Sequence, residues 1–338
     1  MPKICIVPQV SGVGGMVSFR ARFTAGLAAR GIQVCTSLED TPYDAVLVIG
    51  GTRDLLGLRR VHRRGVRIVQ RLNGMNWIHR KRPTGMKHAL RAEYGNLMLN
   101  TIRTRLVDRI VYQSRFAQGW WQRVYGAARP PAKVVYNAVD LAQYTPDGAE
   151  QRPADRQRLL LVEGSLGGGY EGGLDMAVKL AEALRIDYGL ALELMVVGKV
   201  STVLQAAAQA NIHSPLIFKG KVPADQIPGL DRAAHLLFAA DINAACPNST
   251  IEALACGLPV VAFDTGALPE LVTEEAGKVV PYGGDPWNLD PPDIAGLAQA
   301  SAELFADQPR YRAGARRRAE EAFGLDGMVE GYLSCLLG

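Results

Sequence analysis

The sequence predicts an α/β protein built from two doubly wound, Rossmann-like domains. Three observations carry this. Short Val- and Ile-rich strand candidates alternate with helix candidates through the first 140 residues. The alternation pauses once, in a charged stretch with two prolines, and then restarts. The strands are apolar almost throughout, which implies parallel sheets covered by helices on both faces. A chain of 338 residues is long enough for two such domains.

In the first half, KICIVPQ reads as a strand, SGVGGM as a Gly-rich turn, and VSFRARFTAGLAARG as a helix closed by Gly31. IQVCTS, DAVLVIGG, VRIVQRLNG, DRIVYQS and KVVYNAVD are further strands, each bounded by Gly, Asn, Asp or Ser. RDLLGLRRVHRRG and RFAQGWWQRVYG suit helices between them. YTPDGAEQRPADRQR, residues 144–158, has little apolar content and reads as a linker. Beyond it, RLLLVEGS, ALELMVVGK, PLIFKGKV, HLLFAAD, LPVVAFD and GKVVPYG read as strands. LDMAVKLAEALRI, STVLQAAAQA, ADQIPGLDRAA and STIEALACG read as helices, and three more helices close the chain. The expected division is an N-terminal domain over residues 1–145, a linker over 146–158 and a C-terminal domain over 159–320. A last helix, 321–338, would pack back on the first domain. Ligands of open α/β sheets bind beyond the carboxyl ends of the strands, so the expected active site is a cleft between facing domains.

Hydrophobic residues make up 48% and charged residues 21%, ordinary values for a globular protein. No run of 18 uncharged apolar residues occurs, and the N-terminus enters a strand without a signal-peptide pattern; a cytoplasmic protein is expected. The five cysteines include no Cys-x-x-Cys pair, and the five histidines have no ligand spacing, so neither a disulfide framework nor a metal site is expected. The net charge of +5 is unevenly spread: residues 1–133 carry 23 Lys/Arg against 6 Asp/Glu, and the remainder carries 15 against 27. A first half at +17 and a second at −12 suggest that the first half meets an acidic partner: a membrane surface, a phosphorylated acceptor or a nucleic acid. Mutual attraction of the two halves is the plainer alternative.

Four stretches stand out as candidate sites. SGVGGM, with Gly14 and Gly15, opens the first helix where backbone N–H groups favour an anion, though a tight structural turn explains it equally; its spacing is neither the dinucleotide fingerprint nor a Walker loop. VEGSLGGGYEGG, with Gly164 and Ser165, holds the same place in the second domain, and six glycines there point to close approach by a ligand. NAACPNSTIEALACG joins a strand to a helix that Ser249 or Thr250 would cap. Glu252 near its start either complements the helix dipole or accepts from two vicinal hydroxyls. RLNGMNWIHRKRP carries Arg71, Asn73, Asn76 and His79, a mixture suited to a hydroxylated or anionic acceptor, against the alternative of a solvated loop. Lys199 and Lys221 each follow a strand and could pair with phosphate. Trp120 and Trp121 lie on a basic helix, one expected in the core, the other a candidate lipid-interface anchor.

PNSTIEALACGLPVVAFDTGALPELV resembles the donor-site motif of retaining glycosyltransferases of the GT-B fold, family 4, and VVYNAVDLAQYTPDG, DRIVYQSRF and DQIPGLDRAAHLLF resemble further segments of that family. The likeness covers most of the second domain and the first more loosely. It implies a hexosyltransferase that retains anomeric configuration and needs no metal or cofactor. The co-substrate would be a nucleoside diphosphate sugar, with UDP or GDP the expected nucleotide, and the acceptor would be anionic or lipid-linked. Contact of the basic N-terminal domain with an anionic membrane would follow the habit of relatives, and nucleic acid is not an expected partner. By the same resemblance Glu252 would bind the donor ribose, and the turn Pro247-Asn248-Ser249-Thr250 would present the backbone N–H groups that follow Pro247 to sugar and diphosphate. Gly14 and Gly15 would approach the diphosphate. Two departures follow from the comparison with the family. Ala244 stands where the family places a first glutamate, leaving sugar contacts to Asn248 or Ser249. Ser165 stands where an arginine is expected, which shifts leaving-group stabilisation to Lys199, to Lys221 or to an arginine of the other domain. A catalytically weak sugar-nucleotide-binding paralogue, or a nucleic-acid-modifying protein, is the alternative.

Overall fold

The computed structural model describes residues 1–12, 14–167, 169 and 171–338. The chain forms two compact units: Met1–Ala138 with Gly324–Gly338, and Val139–Phe323.

The first unit runs β1 (Lys3–Val7), α1 (Gly15–Ala28), β2 (Gln33–Cys35), β3 (Ala45–Ile49), α2 (Leu55–Arg63), β4 (Arg67–Leu72), α3 (Met86–Arg105), β5 (Arg109–Tyr112), α4 (Arg115–Tyr125) and β6 (Ala132–Val134), with a 3-10 turn at Ile78–Arg80. Its sheet is parallel, in the order β2-β1-β3-β4-β5-β6. β3 is buried along its whole length, which is why AVLVI carries no polar residue. Asp54 caps α2 through the Gly57 N–H (2.7 Å) and Ser114 caps α4 through the Ala117 N–H (3.0 Å). The helix Leu325–Leu336 belongs to this unit: Tyr332 packs its ring 5.0 Å from Phe19 and 5.2 Å from Phe23, on α1. Arg30 ties it down through Asp326 and Glu330, each at 2.8 Å.

The second unit runs β7 (Gln157–Ser165), α5 (Gly172–Asp187), β8 (Leu192–Lys199), α6 (Thr202–Ala210), β9 (Leu216–Gly220), α7 (Ile227–Arg232), β10 (Leu236–Ala239), α8 (Asn248–Ala255), β11 (Val260–Phe263), α9 (Leu268–Leu271), β12 (Gly277–Val280), α10 (Ile294–Ala306) and α11 (Gln308–Ala322); the closing helix of the chain is α12. A 3-10 turn, Ala224–Gln226, leads into α7. The order β12-β11-β10-β7-β8-β9 is again parallel. Its core gathers Leu159, Leu161, Leu194, Val196, Phe238 and Phe263 from the sheet with Leu180 and Leu184 of α5.

Some expectations need correction. Residues 144–158, read as a linker, lie inside the second unit: Tyr144 is 2% exposed, and Arg316 donates to its carbonyl at 2.8 Å. Trp120 and Trp121 are both buried, so neither is available as a lipid anchor; the Trp121 indole donates to the Asn73 carbonyl at 2.7 Å. No helix among the described residues is long and apolar enough to cross a membrane.

Candidate active site

In a doubly wound sheet the strand order reverses at one point, and the loops leaving the carboxyl ends on either side diverge to leave a crevice. In the second unit that point lies between β7 and β10, which pair at Leu159–Leu236 and Leu160–Leu237. The two loops beside it are the Gly-rich segment after β7 and Asp241–Pro247 after β10. Two motifs about 80 residues apart in the sequence thus meet at one crevice.

Both loops are braced by glycines pressed against backbone. Gly198, with φ of 138°, lies so close to the Glu163 carbonyl oxygen that a Cβ there would overlap it. Gly266, with φ of 61°, backs the second loop, where a Cβ would meet the Ala244 carbonyl oxygen at 2.5 Å. The Ala267 N–H donates to that same carbonyl at 2.9 Å.

α8 begins at Asn248 with Pro247 as its N-cap and no side-chain cap. This corrects the expectation that Ser249 or Thr250 caps it: both sit inside the first turn. Thr250 is fully buried, and its hydroxyl has no hydrogen-bond partner. The N-cap side chain, that of Pro247, offers no acceptor to the opening N–H groups of α8, which with the dipole suit an anion. Glu252 is the fifth helical residue and 9% exposed, beyond the first turn where the dipole effect is strongest.

Gly164 and Ser165 are exposed at the end of β7. Ser165 is paired in register with Lys199, and the Leu166 N–H donates to the Lys199 carbonyl at 2.9 Å, so the exposed Lys199 flanks this loop. Lys221 follows β9, two strands from β7, or about 10 Å at the usual strand spacing. Lys199 is thus the nearer cation. Glu163 and Asp241 leave β7 and β10 at the crevice. Burial, then the Asp241 charge, raises the Glu163 pKa well above the usual carboxylate range, and burial lifts Asp241 to about 6. Sequence reasoning missed this pair, because the strand neighbours that juxtapose it are 78 residues apart.

In the first unit, Gly14 caps α1 and Gly15 is its first residue, at the carboxyl end of β1 beside the reversal between β1 and β3; Val13 lies outside the described residues. The four expected acceptor residues divide. Arg71 is wholly buried, donating to Asn73 Oδ1 (3.2 Å) and Asn137 Oδ1 (2.9 Å) with its guanidinium 3.9 Å over the Phe19 ring. The His79 side chain is 3% exposed and meets Glu93 at 2.9 Å. Both therefore brace the interior of the unit. Asn73 is half-buried, and Asn76 is exposed, its backbone clamped by Asn96 through bonds of 3.0 and 2.8 Å.

Residues 157–307 match the family model of glycosyl transferases group 1. This segment of the chain belongs to that family. A D-inositol 3-phosphate glycosyltransferase of Salinispora arenicola is 30% identical over 249 residues, covering 67% of this chain and 54% of that protein. The chain spans about half the length of the curated relatives it matches first. The fold is the GT-B fold: sucrose-phosphate synthase of Thermosynechococcus elongatus superposes with a TM-score of 0.76 at 15% identity, covering 99% of this chain and 98% of the other. An Anabaena protein solved with UDP and glucose superposes with a TM-score of 0.68 at 16% identity, covering 99% of both chains.

Proposed function

We propose that the protein is a retaining glycosyltransferase that moves a hexose from a nucleoside diphosphate sugar, UDP or GDP, to an anionic or lipid-linked acceptor without a metal ion. The observation that carries this reading is the strand order, which sets the Gly-rich loop after β7 and the loop that leads from β10 into α8, the helix of Glu252, on either side of one reversal point. The glycosyltransferase relatives support it.

Glu252 accepts hydrogen bonds from the ribose hydroxyls. The N–H groups of Asn248, Ser249 and Thr250 hold diphosphate and sugar, and the Asn248 and Ser249 side chains take the sugar contacts that the residue at Ala244 does not make. The β-phosphate leaves as the acceptor oxygen attacks the same face of the anomeric carbon. The acceptor proton passes to the leaving phosphate, so no protein nucleophile is required. The protein positions both substrates and stabilises negative charge through Lys199 and the helix start. Burial raises the pKa of both Glu163 and Asp241, which favours their protonation and lessens the negative charge that would otherwise repel the diphosphate.

The acceptor side of the reading rests on the first unit. Residues 73–92 contain five Lys/Arg and no Asp/Glu. On α3, Met86, Leu90, Tyr94 and Leu97 recur at helical spacing and are 80, 68, 61 and 58% exposed. An exposed apolar stripe with cationic flanks suits an anionic lipid surface that presents the acceptor.

A thermal-shift screen against UDP-, GDP-, ADP- and dTDP-sugars, followed by assay of donor hydrolysis, tests the proposal. Binding with turnover, however slow, is expected, and Glu252→Ala lowers donor affinity about ten-fold or more with the fold intact. Binding without any turnover would favour a catalytically idle paralogue, as the absence of Lys and Arg from residues 164–173 would allow.

A further inference from the structure

Asn73 is held by two buried side chains and left open at one corner. It follows Leu72, the last residue of β4, at the carboxyl edge of the first unit's sheet, where open α/β sheets take their ligands. Its carbonyl accepts from the Trp121 indole at 2.7 Å, and its Oδ1 accepts from Arg71 at 3.2 Å. Trp121 and Arg71 are the two largest of the fully buried side chains. The same guanidinium lies 3.9 Å from the ring of Phe19 on α1, the helix whose Gly-rich start flanks the strand reversal of this unit. Asn73 itself is half-buried, and among the described residues nothing accepts from its Nδ2 group.

The chemistry of Arg71 decides how this amide is turned. A guanidinium has five N–H donors and no acceptor, so an amide that bonds to it must present its oxygen. Arg71 imposes this on three amides: Asn73, Asn137, whose Oδ1 accepts at 2.9 Å, and Gln113, whose amide is satisfied only with its oxygen toward the guanidinium. For Asn73 the consequence is that the NH2 corner faces away from Arg71. Accepting from a cation also polarises the amide and strengthens its N–H groups as donors. The surrounding charge favours a negative acceptor for them. Arg71 stands behind the amide, and residues 73–92 carry five Lys/Arg and no Asp/Glu. Glu93, the next acid along the chain, is engaged by Arg80 and His79.

We infer that Asn73 is an oxyanion ligand, donating through Nδ2 to a phosphate or carboxylate oxygen, and that Arg71 is the positioning residue that keeps those donors outward. Calling that ligand the acceptor substrate rests on the glycosyltransferase reading; the anion site does not. Arg71 thereby selects for an anion without touching it.

The experiment titrates wild type, Asn73→Ala and Asn73→Asp with inorganic phosphate and, separately, with acetate at constant ionic strength. Proton–nitrogen correlation spectra follow the Asn73 side-chain amide, assigned by its absence from both variants, and the Trp121 indole N–H, present in all three. Urea unfolding is measured alongside. In wild type, phosphate is expected to shift both signals to saturation. Asn73→Ala removes the donor and weakens phosphate about ten-fold. Asn73→Asp still offers Arg71 an oxygen but sets a second, negative one where the NH2 group stood, so it binds phosphate more weakly than the Ala variant. Stability runs the other way: the Asp variant, which keeps the Arg71 bond, outlasts the Ala variant in urea. Opposite orders of affinity and stability are the signature of a positioned donor. Saturation by acetate alone, with the same orders, assigns the site to a carboxylate. An Asn73 amide signal that neither anion moves, or an Asp variant with wild-type affinity, overturns the inference. Affinity that follows stability, Asp above Ala, overturns it in favour of a merely structural role. The expected orders in a protein that binds no nucleotide sugar would sink the glycosyltransferase reading and leave the oxyanion role of Asn73 standing.

Discussion

The Cα of Gly198, at the end of β8, is pressed against the carbonyl oxygen of Glu163 on β7, leaving no room for a side chain. This contact sets the course of the Gly-rich loop at the crevice. Gly198→Ala must relieve both the overlap and a φ of 138°. A loss of about 2–4 kcal/mol in urea unfolding is expected, with weakened nucleotide-sugar binding in the fraction that folds.

Lys199 and Lys221 are equivalent in the sequence, each following a Gly at the end of a strand. Their strands are not equivalent, since β8 adjoins β7 and β9 does not. Lys199→Ala is expected to lower kcat about 100-fold with a smaller change in KM, the pattern of a group that stabilises the leaving diphosphate. Lys221→Ala should leave both near wild type. The reverse ranking in steady-state kinetics would move the cation to the other strand.

The exposed stripe on α3 can be broken without touching the core. Leu90→Glu with Leu97→Glu should abolish flotation with vesicles rich in anionic lipid and leave donor hydrolysis and Tm unchanged, because both side chains are more than half exposed. Retained flotation, or a shift in oligomeric state instead, would assign the stripe to another partner.

Glu93 ties α3 to the preceding turn, through Arg80 at 2.6 and 2.8 Å and through His79 at 2.9 Å. The hydrogen bonds from Arg80, then from His79, lower its pKa to about 2. A depressed carboxylate adds stability above its unfolded pKa of about 4.3, and that contribution is lost as the pH falls toward 2. Glu93→Gln should therefore destabilise at pH 7 and converge with wild type near pH 2; the group is partly exposed, so the effect is modest. Paired unfolding curves at the two pH values check this.

Most strands and helices were legible because each half-buried or fully buried segment carries its own periodicity. α3 was not, for a physical reason. Its buried positions include Asn96 and Arg103, and its exposed ones include Met86 and Leu90. Asn96 serves the Asn76 backbone, and Arg103 donates to the Tyr112 hydroxyl at 2.9 Å and the Gly126 carbonyl at 2.6 Å, so polar contacts join the burial of Ala92 and Ile102 in holding the helix. The same confusion made Arg71 and His79 look like surface ligands. A cation in a polar loop reads as solvated, and only packing reveals the Phe19 ring under Arg71 and the carboxylate against His79.

By itself the sequence determined the α/β class, the parallel sheets, the Gly-rich loops and the helix bearing Glu252, since these depend on residues close along the chain. The tertiary structure alone decided which strands became neighbours. That order placed the reversal between β7 and β10, joined two distant loops at one crevice and set Lys199 ahead of Lys221. Strand order is chosen by long-range packing, and no local period along the chain records it.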